Sequence, residues 1–162
     1  MKQYTIRKAE EKDLPEILLI YAAARQFMRE NGNPTQWFGG YPQEYLLRED
    51  IDKGALYVVT EKNVINGVFY FAVEADPTYQ VIENGAWSSD KPYGVIHRIA
   101  SNGAGGIFAA ALGFADSQIS HLRIDTHHDN KPMQHVVEKH GFQKRGIIYA
   151  ADDSPRIAYE KV

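Results

Sequence analysis

Hydrophobic and polar residues alternate with a period of two from His121 onward. Leu122, Ile124 and Thr126 fall on one side, Arg123, Asp125 and His127 on the other, which is the pattern of a strand with one buried face. The period then changes. Met133, Val136, Val137 and His140 lie three and four apart and share one helix face. Asp129 or Asn130 is placed to cap that helix, with Pro132 in its first turn, where a missing N–H costs nothing. Gly141 fits the left-handed residue that ends it. A strand that delivers polar residues to a helix N-terminus is a place where backbone N–H groups can hold a ligand.

The same reading extends along the chain. Residues 4–6 predict a short strand. Asp13 and Glu16 have capping-box spacing, and Leu14, Ile17, Leu18, Tyr21, Ala24 and Met28 carry helical periodicity to about Glu30. Asn31, Gly32, Asn33 and Pro34 stop that helix. Pro42 opens a second helix that runs through Ile51 and is stopped by Gly54. Residues 55–60 and 64–73 read as a hairpin turning at Lys62 and Asn63, with Gly67 marking a bulge or an offset turn. Residues 76–92 form a long connection, and such a length implies a functional loop or a hidden short element. Residues 93–101 read as a central strand and residues 107–115 as a third helix. Residues 142–150 and 155–160 make two final strands, with Asp152, Asp153 and Ser154 turning between them. The order β, α, α, three or four β, α, β, α, β, β predicts one α/β (α+β) domain over residues 1–162 with a mostly antiparallel mixed sheet.

Composition narrows the chemistry. The chain has 162 residues, a net charge of −3 and no cysteine. Thiolate zinc sites, disulfides and a cysteine nucleophile are thereby excluded. The charge offers no footprint for nucleic acid or an anionic membrane. No apolar run approaches a membrane span and the charged N-terminus is unlike a signal peptide, so a cytoplasmic protein is expected. His127, His128, Asp129 and His135 could be offered as metal ligands. Neighbours on a strand point to opposite faces, so capping of the helix start is the preferred reading and no metal is expected. Arg123, Asp125 and Arg156 are expected to pair across the sheet.

Two stretches suggest a ligand site. Gly103, Gly105 and Gly106 stand between a strand and a helix, where converging N–H groups can cradle phosphate oxygens. A tight corner explains the same glycines. The Walker and Rossmann patterns are absent. Trp37 and Tyr41, with Phe38, sit among turn residues and suit either a core-edge plug or the lip of a pocket.

At these residues the chain resembles the GNAT acetyltransferases. Element order agrees throughout, and Asn130 followed by a helix ending Glu138-Lys139-His140-Gly141-Phe142 matches that family's second motif. The segment 125–159 looks like a branch of uncharacterised bacterial members. The resemblance implies a sheet of about seven strands flanked by four helices and splayed between strands four and five. The co-substrate is then acetyl-CoA, with its pantetheine along Ile99, Ala100 and Ser101 and its pyrophosphate on the N–H groups of Gly103, Ala104, Gly105, Gly106 and Ile107. Asn130 would bond the pantetheine from across the gap. Anchoring the third helix on Leu112 puts Phe108 where the family has a small residue, and Val137 stands where many members carry a proton-donating tyrosine.

The implied activity is acetyl transfer in a ternary complex to an amine of a small molecule or peptide. The alternative is a GNAT-fold protein that binds CoA or a partner without efficient catalysis. Candidate bases are His97, Tyr93 and Glu83. His97 has the right intrinsic pKa, while a satisfied structural histidine is an equal reading. The acceptor would enter beside the first two helices, among Trp37, Tyr41, Tyr79 and Trp87. Dimerisation is common in the resembling family, so a homodimer is compatible with these features.

Overall fold

Lys62 and Asn63 both take positive φ, 51° and 65°. That is the turn whose twist matches a tight hairpin, and it joins β2 (Leu56–Glu61) to β3 (Val64–Val73) in the computed structural model, which describes residues 3–162. The other strands are β1 (Thr5–Lys8), β4 (Gly94–Ser101), β5 (Leu122–Thr126), β6 (Gln143–Tyr149) and β7 (Pro155–Lys161). The helices are α1 (Leu14–Glu30), α2 (Glu44–Lys53), α3 (Ile107–Gln118) and α4 (Lys131–Lys139). The strands form one seven-stranded sheet in the order β1-β2-β3-β4-β5-β7-β6. All pairs are antiparallel except β4 with β5.

Alternation along the strands gives the sheet two covered faces. Val59, Phe69, Phe71, Ile96, Leu122 and Ile124 pack on α3 and α4 through Phe108, Leu112 and Val137. Val58, Val68 and Ala100 face the other way and meet Leu14, Ile17 and Tyr21 of α1 and Leu47 of α2. A third cluster, with Tyr70, Tyr79, Val95, Ile148 and Ala158, lies under the long β3–β4 connection. That connection contains a 3₁₀ turn at Pro77–Tyr79 and a bridge from Glu83 to Ile147. It is anchored on Glu160, a fully buried carboxylate that accepts from the Ser88 N–H and Oγ (2.8 Å each), His121 Nε2 (2.6 Å) and Arg145 Nε (2.8 Å). Burial pushes this carboxyl up, but those bonds outweigh it and leave its pKa at about 2.

Several expectations are corrected. The capping box lies one turn earlier, between Glu10 and Asp13 of a 3₁₀ turn, because the Asp13 carboxylate faces back to Arg7 (2.8 and 2.9 Å) and the Glu10 N–H (2.8 Å). Helix α2 begins at Glu44 rather than Pro42. The cross-sheet grouping of Arg123, Asp125 and Arg156 does not form. Arg123 lies between the rings of Trp87 and Tyr93 beside Glu160, and Asp125 accepts from the Tyr79 hydroxyl (2.7 Å). Arg156 bonds Ser154 and backbone carbonyls instead.

Candidate active site

Strands β4 and β5 pair only at Gly94 with Leu122 and Val95 with Arg123. Beyond Val95 the two strands part, and a cavity of about 610 Å³ opens between them and beneath the α1–α2 loop. A bulge shapes the β4 wall. Tyr70 pairs with His97 and Val68 with Ala100, so Phe69 alone stands opposite both Arg98 and Ile99. Arg98 takes φ of 51°, a conformation that a bulky residue adopts only when its surroundings hold it. Two groups hold it: the Tyr21 hydroxyl donates to the Arg98 carbonyl (2.7 Å), and the guanidinium donates twice to Asp50 (2.8 and 3.0 Å). Glycine is not needed there because the side chain itself is clamped.

His97 precedes the bulge and lines the cavity. Its Nε2 lies 2.7 Å from Asp76 Oδ2. A carboxylate can only accept, so Nε2 carries a proton, and in the neutral ring Nδ1 is the nitrogen with the lone pair. Asp76 is itself held by the Thr78 N–H (2.9 Å) and Oγ1 (2.7 Å). Burial raises the Asp76 pKa, while the bonds from His97 and Thr78 lower it further, to about 2. Tyr93 and Glu83 stand elsewhere. The Tyr93 hydroxyl accepts from the Asp76 N–H (2.8 Å), and Glu83 lies near Tyr149 on the far side of the long connection. Neither lines the cavity.

The four predicted substrate aromatics divide. Trp37 and Tyr41 line the cavity, joined by Tyr70 and Phe38. Tyr79 is fully buried in the third cluster, and Trp87 donates to the Tyr79 carbonyl (2.8 Å). The loop that carries Trp37 is strapped to the start of α4: Asn130 Nδ2 donates to Gln36 Oε1 (2.9 Å), and Thr35 Oγ1 lies 3.2 Å from His127 Nε2.

The proposed cofactor channel has open ground on its other side. Ala100 and Ser101 pair with β3 only and Ile99 stands in the bulge, so their edge toward β5 has no strand partner. Across the gap Thr126 lines the cavity, and its buried Oγ1 has no hydrogen-bond partner among the described residues. Asn130 caps α4 through its Oδ1 and the Met133 N–H (3.2 Å). In the glycine loop, the Gly103 N–H goes to Ser101 Oγ (3.2 Å) and the Ala104 N–H to Asn102 Oδ1 (3.1 Å). The N–H groups of Gly105 and Gly106 have no such acceptor among the described residues. The N–H groups left without acceptors are thus those of Gly105, Gly106 and the first turn of α3, which starts at Ile107. Phe108 does not crowd them. That ring is turned inward, edge-on to His140 and Phe142. An orphaned hydroxyl in the gap and free N–H groups at a helix start are what a pantetheine and a pyrophosphate require.

The histidine cluster also differs from expectation. His127 and His128 stack at 4.3 Å, because His127 lies past the end of β5, where alternation no longer applies. Donor atoms of His127, His128 and Asp129 lie within 4.8 Å of one another. Both nitrogens of His127 are nevertheless in use, Nδ1 accepting from the Asp129 N–H (3.0 Å) and Nε2 facing Thr35. Burial and the nearby Arg156 lower its pKa, and the neutral ring serves the corner between β5 and α4.

Sequence reading missed Asp76, Thr126, Gln36 and Arg156 as site residues. Only Asp76 carried a local signal, since Asp-Pro-Thr is a turn-initiating run.

The comparisons fit this geometry. The family model described as an acetyltransferase (GNAT) domain matches residues 3–143. An acetyltransferase of the GNAT family from Streptococcus agalactiae 2603 is 28% identical, with a TM-score of 0.83 over 100% of this chain and 97% of that one. GNAT acetyltransferases from Listeria monocytogenes 4b F2365 (17% identity, TM-score 0.71, 98% and 94% covered) and Bacillus cereus ATCC 10987 (20%, 0.63, 98% and 96%) share the fold. No curated protein matches the sequence.

Proposed function

The chain belongs to the GNAT acetyltransferases, and from that premise we propose that it transfers acetyl from acetyl-CoA to an amine of a small molecule or peptide, by direct attack within a ternary complex. The observation that carries this reading is the gap between β4 and β5. It ends in the free N–H groups of Gly105 and Gly106 on one side and opens at His97 on the other.

Acetyl-CoA supplies the thioester. The acceptor amine must be neutral to attack, and His97 Nδ1 can take its proton while Asp76 fixes the ring and stabilises the imidazolium that results. A backbone N–H of the His97–Ile99 segment, where β4 bulges, would donate to the oxygen on which charge develops. No cysteine exists to carry the acetyl group, which leaves attack by the amine itself.

The position of Val137 favours a second reading, binding without efficient catalysis. Its side chain is fully buried in the core and cannot protonate a departing thiolate. The two readings separate in one assay: CoA release followed with a thiol reagent, for which the cysteine-free protein gives no background. The enzyme reading predicts amine-dependent release with one stoichiometric acetylated product. Saturable acetyl-CoA binding with no release across a broad amine panel would leave the binding reading standing.

A further inference from the structure

Three of the charged side chains lining the cavity have a partner: Arg98 pairs with Asp50, Glu74 with Lys53 at 2.6 Å, and Asp76 is hydrogen-bonded to His97. Arg156 is not paired with an acid. It sits at the start of β7, only 7% exposed, and lines the cavity. Among the described residues no carboxylate oxygen lies within 4.0 Å of it. Its Nη1 donates to Ser154 Oγ (2.5 Å) and to the Pro155 carbonyl (3.3 Å), and its Nη2 reaches the Gln36 carbonyl at a long 3.4 Å. All these acceptors are neutral. Asp152, beyond 4.0 Å, is exposed and accepts from the Ser154 N–H and Oγ (3.0 and 2.5 Å); those bonds, and more weakly the charge of Arg156, lower its pKa, but it makes no direct contact with the guanidinium.

A buried cation without an anion is costly, and such groups are normally paired. Register shows where the missing anion would sit. Ile157 pairs with Thr126, the last residue of β5. Arg156 therefore stands just beyond the open end of β5, across the splay from β4. Alternation along β7 puts Arg156 and Ala158 on one face, and Ala158 packs in the cluster with Tyr79 and Val95. That is the face on which His97 meets Asp76. Asp125 lies on it too, held only by the Tyr79 hydroxyl.

We propose that the acceptor is an amine bearing an anionic group, a carboxylate or a phosphate, which Arg156 binds while the amine end lies toward His97 and Asp125. The planar guanidinium suits both anions. This rests on the acetyltransferase reading for turnover, but not for binding.

The test uses matched probes with the full chain in 1 mM CoA: 5-aminopentanoate, 5-aminopentanamide and 3-aminopropyl phosphate. Binding is followed by tryptophan fluorescence, since Trp37 lines the cavity. Turnover is followed as CoA release when acetyl-CoA replaces CoA. The expected result is at least tenfold tighter binding of one of the two anionic amines over the carboxamide, and which one wins identifies the anion. Arg156→Lys should retain that preference and Arg156→Gln should bring the ratio to about one. Unchanged thermal midpoints would separate this from loss of the fold, and the wild-type ratio alone decides should the Gln variant not fold. Equal binding of charged and uncharged probes, or a preference that survives in Arg156→Gln, overturns the proposal, as does no binding of any probe at 10 mM. Anion-selective binding without turnover would instead support this site and count against the acetyltransferase activity.

Discussion

His97 and Asp76 are 21 positions apart and come within 2.7 Å because the 3₁₀ turn at Pro77–Tyr79 folds the β3–β4 connection back over β4. Two substitutions test the pair. His97→Gln keeps the polar contact but removes the base, and kcat should fall by ~10²–10⁴-fold while the KM for acetyl-CoA is little changed. Asp76→Asn should lose less, because the ring remains although its tautomer is no longer imposed. Equal losses in kcat and in cofactor affinity would mean that His97 only supports the strand. Elsewhere Glu160 makes a separate prediction. Its pKa of about 2, like that of Asp76, lies below the ordinary carboxylate value of about 4. A depressed acid contributes stability that is complete above its unfolded pKa and is lost as pH falls through the folded one. Unfolding midpoints in urea should therefore drop between pH 4 and pH 2. Glu160→Gln should lower stability near neutrality by about 3–5 kcal/mol, since it leaves His121 and Arg145 without their anion, and should flatten that acid slope.

At the scale of elements, position depends on what each glycine lets approach. A Cβ built on Gly67 would lie 2.6 Å from Ile107 Cγ2 and 3.2 Å from the Ala100 carbonyl. Helix α3, whose first turn is the proposed phosphate cradle, is seated by that contact with β3. Gly67→Ala should cost about 1–3 kcal/mol through overpacking and should weaken acetyl-CoA binding with it. A stability loss with no change in cofactor affinity would show that the helix start is not part of the site. The elements themselves were largely legible. The hairpin reading marked β3 to the residue, and Gly54 and Gly141, at φ of 74° and 94°, end α2 and α4 as expected. Local signals failed where a side chain had a more distant partner. Asp13 looked like a helix cap and serves Arg7. Phe108 aligned with a phosphate motif and turned into the core, because helix register says nothing about which neighbours fill the space beside it. His127 and His128 were separated by a strand rule that stops applying one residue after Thr126.

For the whole molecule, the order of elements predicted a mostly antiparallel mixed sheet, and the family resemblance implied about seven strands splayed between the fourth and the fifth; the observed order β1-β2-β3-β4-β5-β7-β6 has that form. The charge complement of the cavity was not readable. Arg156 reaches it only because β7 inserts between β5 and β6, and Asp76 only because a long connection folds inward. No helix of the described residues is long and apolar enough to cross a membrane. The same topology yields the central claim, that the gap beyond Val95 is an acetyl-CoA channel. The most direct test is the thermal unfolding midpoint with and without acetyl-CoA. At about 100 times its Kd a ligand adds ~2.7 kcal/mol, and in a domain of this size that is a rise of about 5–10 °C. A rise of that size, shared by CoA and absent in Gly106→Val, is the predicted result. An unchanged midpoint at millimolar acetyl-CoA, in a protein that unfolds cooperatively, would contradict the account.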